Sequence, residues 1–391
     1  MRIAMFSTDF PLLPPFFQSR PLQSWWGGVS NVTYKLAIGK AERGHEVDVF
    51  ATHSLSRRQD IRWRTVSLHL YPADFRLSQT YVSLAYLWSL PQTRPDIVHA
   101  HGGSPPGLIA GWACSRRTRA PLVTTLHADL FLGNRGPASA LILQSFARFE
   151  QRILRDSRSI IALTNHAKRS SATLSAWRSK VTVIPNGVDT SMRPSAAARS
   201  LARKELGIPP NAKVCLYIGT LNYRKGIDVL LEAAALVSMA KPVIFVIVGQ
   251  NAIRGSQAEW KVTGLHVQGR VRLEGFVEDD RIQLYFRAAD ILVIPSRLEG
   301  FPLTILEGFA TALPIVASNI APHREIIRDG QNGILFEAGV AEDLARKIEA
   351  ALNDAVLMKE LSDNSFESGK RFTWDRVFDE TESIYDSALN R

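Results

Sequence analysis

Short runs of apolar residues alternate along the chain with longer stretches in which apolar positions recur every three or four residues. A short run with no polar alternation fits a strand covered on both faces, and the longer spacing fits a helix with one buried face. The strands predicted for the first half are IAMFST, EVDVFAT, DIVHA, PLVTTLH, SIIALT and VTVIP. Those for the second half are KVCLYIG, VIFVIVG, VRLEGF, DILVIPS, PIVASN and GILFE. Helices are expected over 29–43, 138–155, 226–237, 280–288, 303–311 and 341–353.

Strand and helix in alternation imply a parallel sheet with helices on both faces, and each half has strands enough for its own doubly wound sheet. The fold class read from this pattern is α/β, with two doubly wound parallel-sheet domains facing a cleft. The first covers 1–190 and the second 191–372, joined near NGVDTSMRPSAAARS, where Asn-Gly, Pro and small residues mark a turn and linker. The last residues, 373–391, read as an amphipathic helix able to pack on either domain. Parallel sheets bind ligands beyond the carboxyl ends of their strands, so the strand-to-helix loops are the places to search.

Composition sharpens this picture in two ways. A chain of 391 residues, 46% of them hydrophobic, exceeds one ordinary core. Its charge is uneven: residues 1–190 carry 23 basic and 11 acidic side chains, whereas the remainder is nearly balanced. The basic half is either a solvated face or a surface for anionic lipid, nucleic acid or acidic polymer. Cys114 and Cys215 are far apart and in no Cys-x-x-Cys pattern, which suits a reducing compartment. The start has too short an apolar run for a signal peptide, and no stretch is long and apolar enough to span a bilayer, so a cytoplasmic location is expected.

Four segments carry candidate chemistry. In RLEGFPLTILEGFA, 297–310, a helix start follows a strand, with Pro302 suited to the first helical position. Leu303 and Thr304 are expected to offer free N–H groups, and a helix start holds anions. Glu299 and Glu307 cannot contact phosphate oxygens, but carboxylates accept hydrogen bonds from diols. A nucleotide sugar would use all three features; otherwise Glu299 is a solvated turn residue and Glu307 a helix-start charge. In YIGTLNYRKGIDVLLEA, 217–233, Gly219 ends a strand and Arg224 and Lys225 precede Gly226 and a helix. Two cations there suit a departing diphosphate, or are simply solvated.

In WWGGVSNVTYKLA, 25–37, Gly27 and Gly28 open a helix and allow a phosphate or sugar close to free amides. Trp25 and Trp26 either stack on a ligand or pin the preceding loop, PLLPPFFQSRPLQ. In TTLHAD, His127 and Asp129 stand at a strand end. His99 and His101 share a strand face in His-x-His spacing, where packing or cleft lining outweighs zinc. No Gly-x-Gly-x-x-Gly occurs, which removes the main support for a nicotinamide site. No Asp-x-Asp occurs either, so a diphosphate-bound metal is disfavoured and neither metal nor cofactor is expected.

EGFPLTILE resembles the Glu-x7-Glu motif of retaining GT-B glycosyltransferases. With IGTLNYRKG, IPNGVD, LEGFV, AADILVIPSRLEGFP and DGQNGILF it is similar to family four of that class; GGVSNVTYKLA, RGHEVDVF, DIVHAHG and VTTLH match more loosely. The resemblance implies a metal-independent hexosyltransferase with two Rossmann-like domains, a nucleotide-diphosphate sugar held mainly by the second and a glycan, lipid-linked or small-molecule acceptor by the first.

The resemblance assigns Arg224 and Lys225 to the diphosphate, Glu307 to the ribose, Glu299 to the donor sugar and His127 to the reaction centre. Phe301, Pro302, Leu303 and Thr304 match the loop whose amides hold phosphate and sugar. Phe276 and Val277 match the backbone at the base, and Gly28 the glycine turn near the diphosphate; Gly219, at its strand end, is expected among the donor-binding residues. UDP-sugars are the first expectation for the donor and GDP-mannose the second; a non-catalytic binding protein is the alternative. In APHREIIRDG many family members have a glycine pair before the residue matching Glu325. The implied place is polysaccharide or glycolipid biosynthesis; the basic first half and the loop PLLPPFF suggest that this cytoplasmic enzyme sits peripherally on the inner face of the membrane, with an anionic lipid surface rather than nucleic acid as partner.

Overall fold

A computed structural model describes residues 1–11, 28–54, 56–77, 80–102, 104–128, 137–190, 193–249, 267 and 269–390. Trp25, Trp26, Gly27, Asp129 and nearly all of the loop before the tryptophans lie outside the described residues. The chain forms two compact units, Met1–Asn186 with Trp374–Arg391, and Gly187–Thr373.

The first unit contains β1 (Arg2–Asp9), β2 (Glu46–His53), β3 (Gln59–Trp63), β4 (Val66–Pro72), β5 (Phe75–Leu77), β6 (Thr80–Val82), β7 (Ile97–Gly102), β8 (Leu122–Leu126), β9 (Ser159–Ala162) and β10 (Val181–Val183). Eight of these make one sheet in the order β10-β9-β8-β7-β1-β2-β4-β3. It is parallel except for β3, which runs antiparallel to β4. The six strands predicted from the apolar runs are all present. The β3–β4 pair and the small β5–β6 hairpin are additions: β3 alternates half-buried and exposed positions, because an edge strand covered on one face has no continuous apolar run.

The second unit has β11 (Lys213–Ile218), β12 (Val243–Val248), β13 (Val271–Gly275), β14 (Ile291–Ile294), β15 (Ile315–Ser318) and β16 (Ile334–Phe336), ordered β13-β12-β11-β14-β15-β16. Successive side chains feed opposite cores: Cys215, Tyr217, Phe245 and Ile247 pack on one face, and Val214, Leu216, Val246 and Val248 on the other. Two apolar faces explain why these strands read as unbroken apolar runs. The order reverses between β11 and β14, the switch point at which the loops after two neighbouring strands diverge to opposite faces.

The terminal helix, Trp374–Leu389, belongs to the first unit. Its seat is the helix Gly28–Glu42. A Cβ on Gly39 would come within 2.1 Å of the Phe378 ring, so Gly39 is the residue that admits the aromatic. Beside it Lys40 is wholly buried, its Nζ donating to the Phe378 carbonyl at 2.6 Å and to Glu382 at 3.1 Å. Arg43 pairs with Asp375 and Asp379 at the rim.

Candidate functional site

At the switch point of the second unit, two loops are fastened together. The loop after β11 turns through Tyr223–Lys225, where the Asn222 side chain accepts a hydrogen bond from the Lys225 N–H at 2.9 Å. Gly226 follows at φ +69°, and a Cβ there would stand 1.9 Å from the Pro295 carbonyl oxygen beyond β14. Only glycine permits that approach. As a result Lys225 reaches the β14 loop, and its Nζ donates to Glu299 Oε1 at 2.6 Å. Ser296 Oγ donates to the same oxygen at 2.7 Å.

The neighbouring side chains lock the same junction. The Arg297 N–H donates to the Arg224 carbonyl at 2.8 Å. Its guanidinium forks onto Asp228 at 2.6 and 2.7 Å and stacks 4.0 Å from the Tyr223 ring centroid. Arg224 itself is exposed.

Glu299 is nearly enclosed, its side chain 7% accessible against 23% for Lys225. Burial pushes its carboxyl upward, but the Lys225 ammonium, with His323 and Ser296 assisting, more than offsets this and leaves it below the usual carboxylate range. Lys225 is therefore not a bare cation; its charge is already shared with a carboxylate. His323, on the helix Ala321–Ile326, is fully buried, with Nδ1 2.8 Å from the Ser318 carbonyl at the end of β15 and Nε2 unpartnered among the described residues. Burial lowers it to about 4, against the pull of Glu299. His323 occupies the segment in which the glycine pair of the resemblance is missing, while Glu325 on the same helix is exposed.

The helix after β14 begins at Leu303, the start expected for it. Pro302 is the capping residue of Leu303–Ala310 rather than its first member, and the Leu303 N–H is not free: it donates to the Phe301 carbonyl at 3.1 Å. A proline cap has no side-chain acceptor, so the chain closes a tight turn on itself. Thr304 and Glu307 follow at half-buried positions, and Phe301 packs on the core. Beyond β13, Phe276 is exposed while Val277 packs on the core. Gly219 follows β11, its N–H donating to the Val248 carbonyl at 3.0 Å. All these residues stand at carboxyl ends of the second sheet.

In the first unit, Gly28 opens its helix and is exposed. His127, just past β8, is buried with Nε2 3.1 Å from Nδ1 of His101 on β7. His99 uses both ring nitrogens, Nδ1 with Tyr385 Oη and Nε2 with Thr125 Oγ1, each at 2.7 Å. Burial holds His127 down to about 4 and His99 to about 3, so both rings are neutral at neutral pH. Sequence reasoning passed over Ser296, His323 and the Arg297–Asp228 pair. For His323 the signal was the departure from a glycine pair; for the others only the loop contact reveals the partner.

Comparison with known proteins adds three findings. Residues 198–368 match the family described as "Glycosyl transferases group 1", and 26–192 match "Glycosyltransferase Family 4". A D-inositol 3-phosphate glycosyltransferase of Xylanimonas cellulosilytica is 27% identical over 395 residues, covering 93% of each chain. An uncharacterized glycosyltransferase of Methanocaldococcus jannaschii is 25% identical, covering 100% of this chain and 99% of its own. Among solved structures, Anabaena HepE in complex with UDP and glucose aligns with TM-score 0.78 and 20% identity, over 99% of this chain and 100% of its own. The sucrose-phosphate synthase of Thermosynechococcus elongatus aligns with TM-score 0.80 and 20% identity, over 100% and 99%. These two likenesses are of fold.

Proposed function

Since the chain belongs to the group 1, family four glycosyltransferases, we propose that it moves a hexosyl unit, with retention at the anomeric carbon, from a nucleotide-diphosphate sugar to an acceptor hydroxyl. The observation that carries this reading is the Lys225–Glu299 contact across the switch point, where ligands of such sheets bind. The remaining Glu299 oxygen accepts from a sugar hydroxyl, and Lys225, held by Glu299 and flanked by Arg224, faces the diphosphate. Negative charge growing on the departing diphosphate is met by these cations and by the helix start after Pro302, without a metal. A diphosphate oxygen receives the acceptor proton. Glu307 takes the ribose diol, and Phe276 and Val277 the base through their backbone.

A UDP-sugar is the favoured donor, with UDP complexes of Anabaena HepE in support; a GDP-mannose-dependent mannosyltransferase is the alternative. The acceptor is a glycan, a lipid-linked saccharide or a small molecule. Relatives named D-inositol 3-phosphate glycosyltransferase favour an anionic acceptor, which the basic first half also suits. Exposed Leu84 and Trp88, the latter beneath the Arg117 guanidinium at 4.2 Å, are suited to contact with an anionic membrane surface.

Thermal shift with a panel of nucleotide sugars, followed by product analysis with and without acceptor, tests the reading. Stabilisation by one donor together with acceptor-dependent release of its nucleotide is expected. Sugar altered without nucleotide release would mean an epimerase, and binding with no turnover across acceptor classes a non-catalytic protein.

A further inference from the structure

The histidines of the first unit form a string whose hydrogen-bond inventory sets the tautomer of His127. His101 is 1% exposed, and its Nε2 has no partner among the described residues. Its Nδ1 meets His127 Nε2 at 3.1 Å, with the two rings 29° from parallel. On the other side its ring lies 4.2 Å from that of His99, which is itself held at both nitrogens by Tyr385 and Thr125. Burial keeps His101 well below its ordinary pKa, and His99 and His127 are lowered too, so one proton serves the His101–His127 contact.

That proton has two possible homes. If His127 donates from Nε2, His101 must carry its own proton on Nε2, as a buried N–H with no acceptor. If His101 donates from Nδ1, its Nε2 is a bare lone pair. Each arrangement leaves one N–H without a protein acceptor, on the enclosed His101 Nε2 in the first and on His127 Nδ1 in the second; only the former atom is sealed from solvent and ligand, and orphaned buried N–H groups are the rarer defect in folded proteins, so the second arrangement prevails. We propose that His101 is a positioning residue whose Nδ1–H fixes His127 with Nε2 as acceptor and the ring proton on Nδ1. Nδ1 of His127 has no partner among the described residues. His127 thereby offers a ligand oxygen a hydrogen-bond donor and not a base, consistent with a reaction in which the diphosphate takes the acceptor proton. The inference rests on the reading of His127 as a reaction-centre group. His99, Thr125 and Tyr385 hold the string from behind.

Histidine-ring 15N spectra and steady-state kinetics of the full chain test this together. In the wild type, His127 should be protonated at Nδ1. His101→Leu should move His127 toward the Nε2–H form and lower kcat about tenfold or more, with KM for the nucleotide sugar little changed. His101→Asn, whose amide replaces the Nδ1 donor, should restore the tautomer and most of the rate. His101→Gln, whose amide falls nearer the Nε2 position, should not, and this pair decides the matter where His101→Leu does not fold. An unchanged His127 tautomer in the folded Leu or Gln variant would overturn the positioning role, and needs no substrate to observe. A shifted tautomer with transfer at the wild-type rate would instead overturn the reaction-centre role of His127. Absence of transfer from the wild type, with the tautomer set as expected, would count against the proposed donor chemistry alone.

Discussion

Lys225 and Glu299 lie 74 residues apart in sequence, yet their charged atoms meet at 2.6 Å, because Gly226 lets one loop close on the carbonyl that ends the neighbouring strand. The pair joins the two loops of the switch point. Each partner is constrained by the other before any ligand arrives. In the proposed function the contact preorganises a cation for phosphate and a carboxylate oxygen for a hydroxyl.

Lys225→Ala should therefore act twice. Loss of the ammonium leaves Glu299 buried without its cation, which costs about 3–5 kcal/mol of folding stability when such a pair is broken. Donor turnover should fall about a hundredfold or more. The double variant Lys225→Met/Glu299→Leu should recover much of the stability and none of the activity. Urea denaturation beside a nucleotide-release assay measures both, and near wild-type turnover in Lys225→Ala with normal donor binding would refute the assigned role.

Gly226→Ala should destabilise by about 1–3 kcal/mol, since a Cβ at positive φ runs into the Pro295 carbonyl. The variant should also lose turnover, because the loop bearing Lys225 must shift away from Glu299. A matched Gly207→Ala control, also at positive φ but with open space around its Cβ, should share only the backbone penalty. Equal losses in the two variants would argue against the Pro295 contact.

Acid should weaken the fold at a pH set by the buried histidines. His99 is held at about 3 and His127 and His323 at about 4, below the ordinary value of 6.5, so each stays neutral in the folded chain. Below about pH 6.5 the unfolded chain binds protons that the folded chain refuses, and stability falls by about 1.4 kcal/mol per pH unit per histidine until the folded value is reached. The depressed Glu299 acts in the same direction: its contribution is present above the ordinary carboxylate range and is lost as pH falls through its lowered value. Denaturation midpoints from pH 7.5 to 4.5 should show this slope, and His323→Asn should reduce it. A flat profile would remove the argument.

Tyr385→Phe should cost about 1–3 kcal/mol by leaving the buried Nδ1 of His99 without its partner. The effect tests how the terminal helix is held. If that hydroxyl matters, proteolysis within 374–391 should speed up in the variant, and an unchanged digestion rate would show that the contacts of Gly39, Lys40 and Arg43 hold the helix without it.

Binding to vesicles containing anionic phosphatidylglycerol should be measurable at low salt and fade as ionic strength rises past about 0.15 M, since exposed charges are screened over about 8 Å there. Trp88→Ser and Arg117→Ser should each weaken it. No binding at low salt would remove the membrane from the proposal.

The apolar runs alone determined the parallel strands other than β4, because a strand buried on both faces must be apolar at nearly every position, and VIFVIV packs one core with Phe245 and Ile247 and the other with Val246 and Val248. The motif residues around Glu299 and Lys225 were legible as residue types suited to a sugar and a phosphate. Their pairing was not, since a contact between loops 74 positions apart depends on the strand order β11-β14 and on the space left by Gly226. Likewise the His-x-His pattern placed His99 and His101 on one strand, but only the fold brought His127 and Tyr385 against them. Short-range periodicity reports which face of an element is dry. Which elements share that dryness, and so which polar groups must satisfy one another, is decided by packing between distant segments, and there the terminal helix found its seat on Gly39.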